Sequence, residues 1–374
     1  MASEYDIIDP RGDMLLLVGE YAGQFHTRLV KIEQNHPLFL TPETHDETNA
    51  ADDVTEQPIR ISNAYRLESN MSVSFALANE VPENPSNELV RVGNNPPASH
   101  ITQAKIRVSS KHLSFASRFF QEKFSIKERS NQEDILPPCF NNLGALYVLL
   151  NTIHCRARNV PRHISLETLC MLSILVEEYE CLEAVEAFAE TWMLNLSESV
   201  PRTFNNDVGR WLYIGLVFRN KALFHLMTRI AIRESPGPVP TFGLPVPSSL
   251  IGHIEHLRQC KVDSIVVSLY ERMEYLLDHG GCCRACDTML VGSMMLQLKP
   301  REIFPPPQAP YEGLSVEHLL RVVSGMQEPR CMELFHQQTG CPAIGCALMP
   351  ATRLLLRRVD NETTGLDLEW FLSL

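Results

Sequence analysis

Between about residues 21 and 104 the chain offers no regular apolar period, and this gap constrains the fold more than any other feature. Glu43, Asp46, Glu47, Asp52, Asp53 and Glu56 fall in a stretch without lysine or arginine, and Pro82, Asn84, Pro85, Asn87, Asn94, Asn95, Pro96 and Pro97 follow. Such a composition buries too little apolar surface to offset the entropy of ordering the chain, so it reads as a disordered acidic insertion. Just before it, Met14 to Val18 form a short apolar run, introduced by Pro10, Gly12 and Asp13 and closed by Gly19. Its length and flanks are those of a strand buried on both faces. A lone strand is not stable, so this one must find its partner beyond the gap.

Beyond the gap, Lys105 to Val108 alternate as a brief second strand. Ser109 or Ser110 then caps a helix whose apolar residues Leu113, Ala116, Phe119, Phe120 and Phe124 recur at helical spacing. Asp134-Ile135-Leu136 is a third strand-like piece that stops at Pro137 and Pro138. Leu143, Leu146, Tyr147, Leu150 and Ile153 mark a helix, and Ser165 caps another carrying Leu166, Leu169, Leu172, Val176 and Tyr179. The clearest stripe is Leu182, Val185, Phe188, Ala189, Trp192, Met193 and Leu196, a face that has to pack against something. After Pro201 the pattern is almost wholly helical, with candidates near 207–233, 249–279, 287–298 and 315–327 separated by proline clusters.

These elements predict an α+β fold, a small sheet covered by helices followed by a mainly α-helical C-terminal domain. A length of 374 residues suits two domains. The expected division is an N-terminal tail at 1–12, a first domain at 13–200 with its insertion at about 21–104, and a helical domain at 201–374.

A formal charge of −12 would repel phosphate backbones and anionic lipid surfaces, so neither nucleic acid nor membrane is an expected partner. The densest basic stretch, Arg353 to Arg358, is interrupted by Leu354, Leu355 and Leu356 and reads as an amphipathic helix face with snorkelling arginines. Residues 1–10 carry Glu4, Asp6 and Asp9 and no basic segment before an apolar run, and no apolar stretch approaches the roughly 20 residues that span a bilayer. The expectation is an intracellular protein, cytoplasmic or nuclear, whose 11 cysteines are reduced, buried or metal-bound.

Particular residues give the element order a resemblance. Asp13 to Val18 resembles the opening strand of the BTB/POZ family. Ile106-Arg107-Val108-Ser109-Ser110-Lys111-His112-Leu113-Ser114-Phe115-Ala116-Ser117-Arg118-Phe119-Phe120 resembles its second strand and first long helix, where a leucine, a serine four residues on and a nearby aromatic hold the core. Leu146 to His154 looks like a later helix of the family. Arg158 to Pro161, Val176 to Cys181 and Ala189 to Trp192 are similar to the form common in filamentous fungi. The resemblance covers 13–20 and about 104–196, and more weakly the helical tail. It implies a non-enzymatic adaptor or scaffold that binds protein partners, including itself as a homodimer. Its alternatives are a transcription-associated regulator, a substrate adaptor of a cullin-type ubiquitin ligase and, last, an enzyme with an unrecognised site.

The chain departs from the family twice. Family members join their first two strands by a tight hairpin, whereas about eighty residues are expected to intervene here. Transcriptional members pair the opening-strand aspartate with a basic residue early in the first helix, and the matching position is Ser110, with Lys111 beside it. The hydrophobic-x-acidic motif by which some members grip cullins is also not evident between Pro137 and Leu150.

No Walker pattern, G-x-G-x-x-G, G-x-S-x-G or H-E-x-x-H occurs, and no catalytic or cofactor-binding residue is singled out. His253 and His256 are three apart on a helix and read as a solvated face. Cys155, Cys170 and Cys181 lie on or beside core helices, where reduced cysteine behaves as a small hydrophobe. One cluster stands above this background. Cys283 and Cys286 have the C-x-x-C spacing of one edge of a tetrahedral zinc site, which Cys341 with either Cys346 or His336 could complete. The alternative for the same residues is a set of packed free thiols.

Overall fold

The computed structural model describes residues 6–21, 24–31, 101–127, 134–136, 143–278, 280, 283–329, 335–338, 346, 348 and 352–373. The chain divides into one unit of residues 1–31 with 100–374 and another of 32–99, and only the first contains described residues. It is mixed α and β, and mostly helical.

Five strands form one sheet in the order β1-β4-β2-β3-β5: β1 Asp6–Ile7, β2 Met14–Tyr21, β3 Gln24–Lys31, β4 Ile101–Val108 and β5 Asp134–Leu136. β2 pairs antiparallel with β3 on one side and with β4 on the other. The expected eighty-residue gap after the first strand is therefore corrected. Only Ala22 and Gly23 separate β2 from β3, and the long connection follows β3. The alternating run Phe25, Thr27, Leu29 was a strand signal absorbed into the insertion, and β4 likewise begins inside it at Ile101. The part of the insertion from 32 to 100 lies outside the described residues.

Two further expectations change. β2 is buried on one face only: Met14, Leu16 and Val18 are buried while Leu15 and Leu17 are half-buried, as in a sheet with a single packed side. Residues 6–12 are no loose tail, because β1 pairs parallel with β4 and Ile8 is buried. Gly12 makes that entry possible, since a Cβ there would lie 2.4 Å from the Val108 carbonyl oxygen.

The first long helix is two: α1 Ser110–Ala116 and α2 Arg118–Lys127. Ser117 between them is extended, accepts from the Phe120 N–H at 3.1 Å and donates to the Tyr179 carbonyl at 2.5 Å. One buried serine thus ends a helix, caps the next and ties both to the chain far downstream. Next come α3 Leu143–Ile153, α4 Leu166–Glu178 and α5 Leu182–Asn195. Ser165 caps α4 through the Thr168 N–H, and Trp192 of α5 is fully buried with its indole N–H on the Pro161 carbonyl at 2.8 Å.

The candidate helix at 207–233 is likewise split, into α6 Val208–Val217 and α7 Lys221–Glu234. Arg219 takes a left-handed φ of 51°, and Asn220 restarts the chain by capping the Leu223 N–H at 3.0 Å. Then follow α8 Ser248–Asp278, α9 Arg284–Leu298, α10 Val316–Ser324, α11 Thr352–Glu362 and α12 Leu368–Leu372. α11 contains the leucine–arginine stretch read as an amphipathic helix. No described helix is long and apolar enough to cross a membrane.

Buried apolar side chains fall into two clusters. The first runs across residue 200, from the sheet through α1–α7 to Leu250 and Ile254 of α8, with Leu366 and Leu368 added from the C-terminal end. The second takes the rest of α8 from Val262 onward, α9, the 303–314 loop, α10, Cys346, Leu348 and Val359. Arg258 sits on α8 between them with no exposed surface. Its guanidinium makes a two-pronged contact with Glu255, at 2.8 and 2.6 Å, and donates to the carbonyls of Pro310, Tyr311 and Leu314 at 2.6–3.2 Å. A buried charge is tolerated only when it is paired and hydrogen-bonded throughout, and Arg258 is.

Candidate functional site

Cys283 is the N-cap of α9, and Cys286 follows in its first turn. Their sulfurs are 3.4 Å apart, with Cys283 half-buried and Cys286 buried. His336 reaches the same point from a single helical turn at 335–338, placing Nε2 3.2 Å from the Cys286 sulfur. Cys346 arrives from a third segment. The ligand atoms of Cys286, His336 and Cys346 lie within 4.8 Å of one another. Tetrahedral zinc, with bonds of about 2.3 Å to sulfur and 2.0 Å to nitrogen, would hold neighbouring ligands about 3.5–3.8 Å apart. The three residues are thus placed where they can hold a metal ion.

The sequence left Cys346 and His336 as alternatives, and the fold brings both to Cys286. Cys341 lies outside the described residues. The two thiols of the C-x-x-C pair differ. Hydrogen bonding to the backbone N–H of Cys286, contact with its thiol and the N–H of Ala285 lower the Cys283 pKa. Burial, then contact with Cys283 and Cys346, pushes Cys286 up to about 12. A metal would have to displace that proton, which is the ordinary linkage between thiolate ligation and pH.

The segment bearing Cys346 is held from several directions. Leu348 is buried, its N–H donates to Glu328 at 2.7 Å, and Arg272 of α8 donates to its carbonyl at 3.4 Å. The remaining cysteines and histidines behave differently. Burial pushes Cys170 and Cys181 up to about 12, while Cys155 is exposed at a left-handed turn with φ 56°. His253 stacks beside Trp370, and exposed His256 faces Cys260 at 3.6 Å. Between those two histidines the residue that matters structurally is Glu255, whose i,i+3 pairing with Arg258 was visible as spacing but not as burial.

A second constellation lies where the sheet meets α1. Asp13 accepts from both the N–H and the hydroxyl of Ser110, at 2.8 and 2.6 Å. The adjacent Ser109 caps α1, and its N–H donates to His154 Nε2 at 2.9 Å, while Nδ1 of that ring meets the Leu150 carbonyl at 2.8 Å. One ring nitrogen must accept and the other donate, so His154 is neutral and fixed in one tautomer. Burial accordingly lowers its pKa. With α1 fixed on its inner side by Leu113, Phe115 faces outward with 96% of its surface exposed. Ile7 of the edge strand β1 is half exposed, and Asp9, two residues beyond β1, stands 3.7 Å from His112 of α1.

No family model, no curated protein and no solved structure matches this chain.

Proposed function

We propose that the chain is a non-catalytic protein-interaction module of the BTB/POZ type that associates with a second copy of itself through α1 and the neighbouring sheet edge. The observation that carries this reading is Phe115, a large aromatic left almost wholly in water on a short helix whose other face is locked in place. Large exposed aromatics are where binding energy concentrates when a partner covers them. Leu113 and Ser117, two residues behind the family resemblance, are both buried, as a core leucine and its serine should be. Ser110 occupies the place of the basic residue found in transcriptional members and holds Asp13 by hydrogen bonds instead of an ion pair. That arrangement favours an adaptor or scaffold over a corepressor groove.

The proposal places the protein inside the cell, where the seven described cysteines, none of them in a disulfide, would stay reduced. It also takes the metal of the Cys286–His336–Cys346 cluster to be zinc, which favours thiolate and imidazole donors together.

Light scattering on the full-length chain tests the association. A dimer at tens of micromolar is expected, with Phe115→Asp shifting it to monomer while the melting temperature stays within about 2 °C, because an exposed side chain contributes little to the folded state. A wild-type monomer at that concentration, or a dimer that ignores Phe115→Asp, would remove the reading.

A further inference from the structure

Resting on the zinc reading, we infer that Cys283 is the fourth ligand, so that Cys283, Cys286, His336 and Cys346 form a closed three-thiolate, one-imidazole centre that clasps the 335–348 segment onto the start of α9. Three ligands alone would leave a coordination position for water or substrate, the mark of a catalytic zinc, whereas a fourth protein ligand closes the sphere and leaves the ion a purely mechanical task.

Two observations point to Cys283. Its sulfur is 3.4 Å from that of Cys286, close to the separation of two ligands on one tetrahedral ion, and it has to turn toward His336 and Cys346 to share theirs. It is the N-cap of α9, with an extended backbone at φ −161° and ψ 160°, and so sits at the helix end where Cys286, His336 and Cys346 meet.

As each metal–sulfur bond forms, the thiol gives its proton to solvent, and the neutral imidazole of His336 donates its lone pair without proton loss. Three thiolates and one divalent ion leave a single negative charge, set against the amide groups at the α9 terminus. The ion also has a reason to be there. His336 and Cys346 lie fifty and sixty residues from Cys286, bringing such distant segments together costs loop-closure entropy, and metal ligation would add to the burial of Cys346 and Leu348 in offsetting it.

The test uses the full chain. Elemental analysis should find about one equivalent of zinc, and replacement by cobalt(II) should give a tetrahedral spectrum with sulfur-to-metal charge transfer. Cys283→Ser should remove about a third of that charge-transfer intensity, one thiolate of three, while Cys341→Ser leaves it unchanged. Cys283→His serves as the second variant in case Cys283→Ser loses the metal and unfolds: it should keep one equivalent of cobalt with the same loss of about a third. Wild-type protein with zinc well below one equivalent overturns the zinc reading and this assignment with it. Bound metal whose spectrum is indifferent to both Cys283 variants, or any loss with Cys341→Ser, overturns only the assignment of Cys283.

Discussion

The two buried clusters are built on different principles. The first, around the sheet and α3–α7, is held by large apolar side chains recurring along amphipathic helices, with Trp192, Trp211 and Phe224 fully enclosed. The second, around the later part of α8 with α9 and α10, has fewer helical stripes to join. It relies on polar and thiol contacts at its margins: Arg258 gripping the 310–314 loop, Tyr311 donating to Asp263 at 2.5 Å, and the Cys–His group at the start of α9. A core of stripes tolerates local loss because many contacts share the load. One fastened by a few polar nodes concentrates its stability in them, since removing one partner leaves the others desolvated and unpaired.

Three experiments would break or sharpen this contrast. The largest effect is expected from Arg258→Met. It strands Glu255 and three carbonyls in a buried junction, and chemical denaturation should show a loss of about 3–5 kcal/mol. Glu255 adds to that cost. Burial acts to raise its pKa, hydrogen bonds from Arg258 and Gln259 outweigh it, and the substitution takes away the Arg258 share of that support. A loss below about 1 kcal/mol would mean that the junction is not a node.

Trp192→Ala comes next, at about 3 kcal/mol, the lower end for a buried aromatic, because neighbouring stripes can partly close on the cavity. Since α8 runs through both clusters, each variant should shift one shared calorimetric transition. Two separate transitions, one moved by each variant, would show that the clusters fold independently.

The smallest effect belongs to His154. Its folded pKa is lowered by burial, so the folded state binds the proton less readily than the unfolded chain. The stability contributed by the neutral ring is therefore complete above the ordinary value of 6.5 and lost as the pH falls below it. A slope of about 1 kcal/mol is expected on moving to mildly acid pH, the worth of the Ser109 hydrogen bond, and His154→Gln should flatten it. Equal acid sensitivity in that variant would assign the effect to other groups.

Where the sequence carried a local signal, the structure follows it. Ser109 and Ser165 cap the helices expected of them, and the stripe from Leu182 to Trp192 is the buried face of α5. The errors came from signals that depend on distant partners. β3 was masked by its acidic neighbours, since alternation alone does not reveal a strand until β2 is there to pair with it. Ser117 reads as an ordinary helical residue until Tyr179, 62 residues on, accepts its hydroxyl.

The candidate metal centre divides in the same way. The C-x-x-C spacing at Cys283 and Cys286 was legible because one residue caps the helix whose first turn carries the other, a geometry that is local. Which residues join them was not. His336 and Cys346 approach Cys286 only because α9, the 335–338 turn and the segment at 346–348 pack around the second cluster. The sequence alone thus determined helix types, caps, apolar faces and the C-x-x-C pair of a candidate metal centre, all set by interactions a few residues long. Strand partners, the burial of Arg258, the exposure of Phe115 and the convergence of three segments on Cys286 were decided by tertiary structure, because each depends on contacts between residues far apart in the chain.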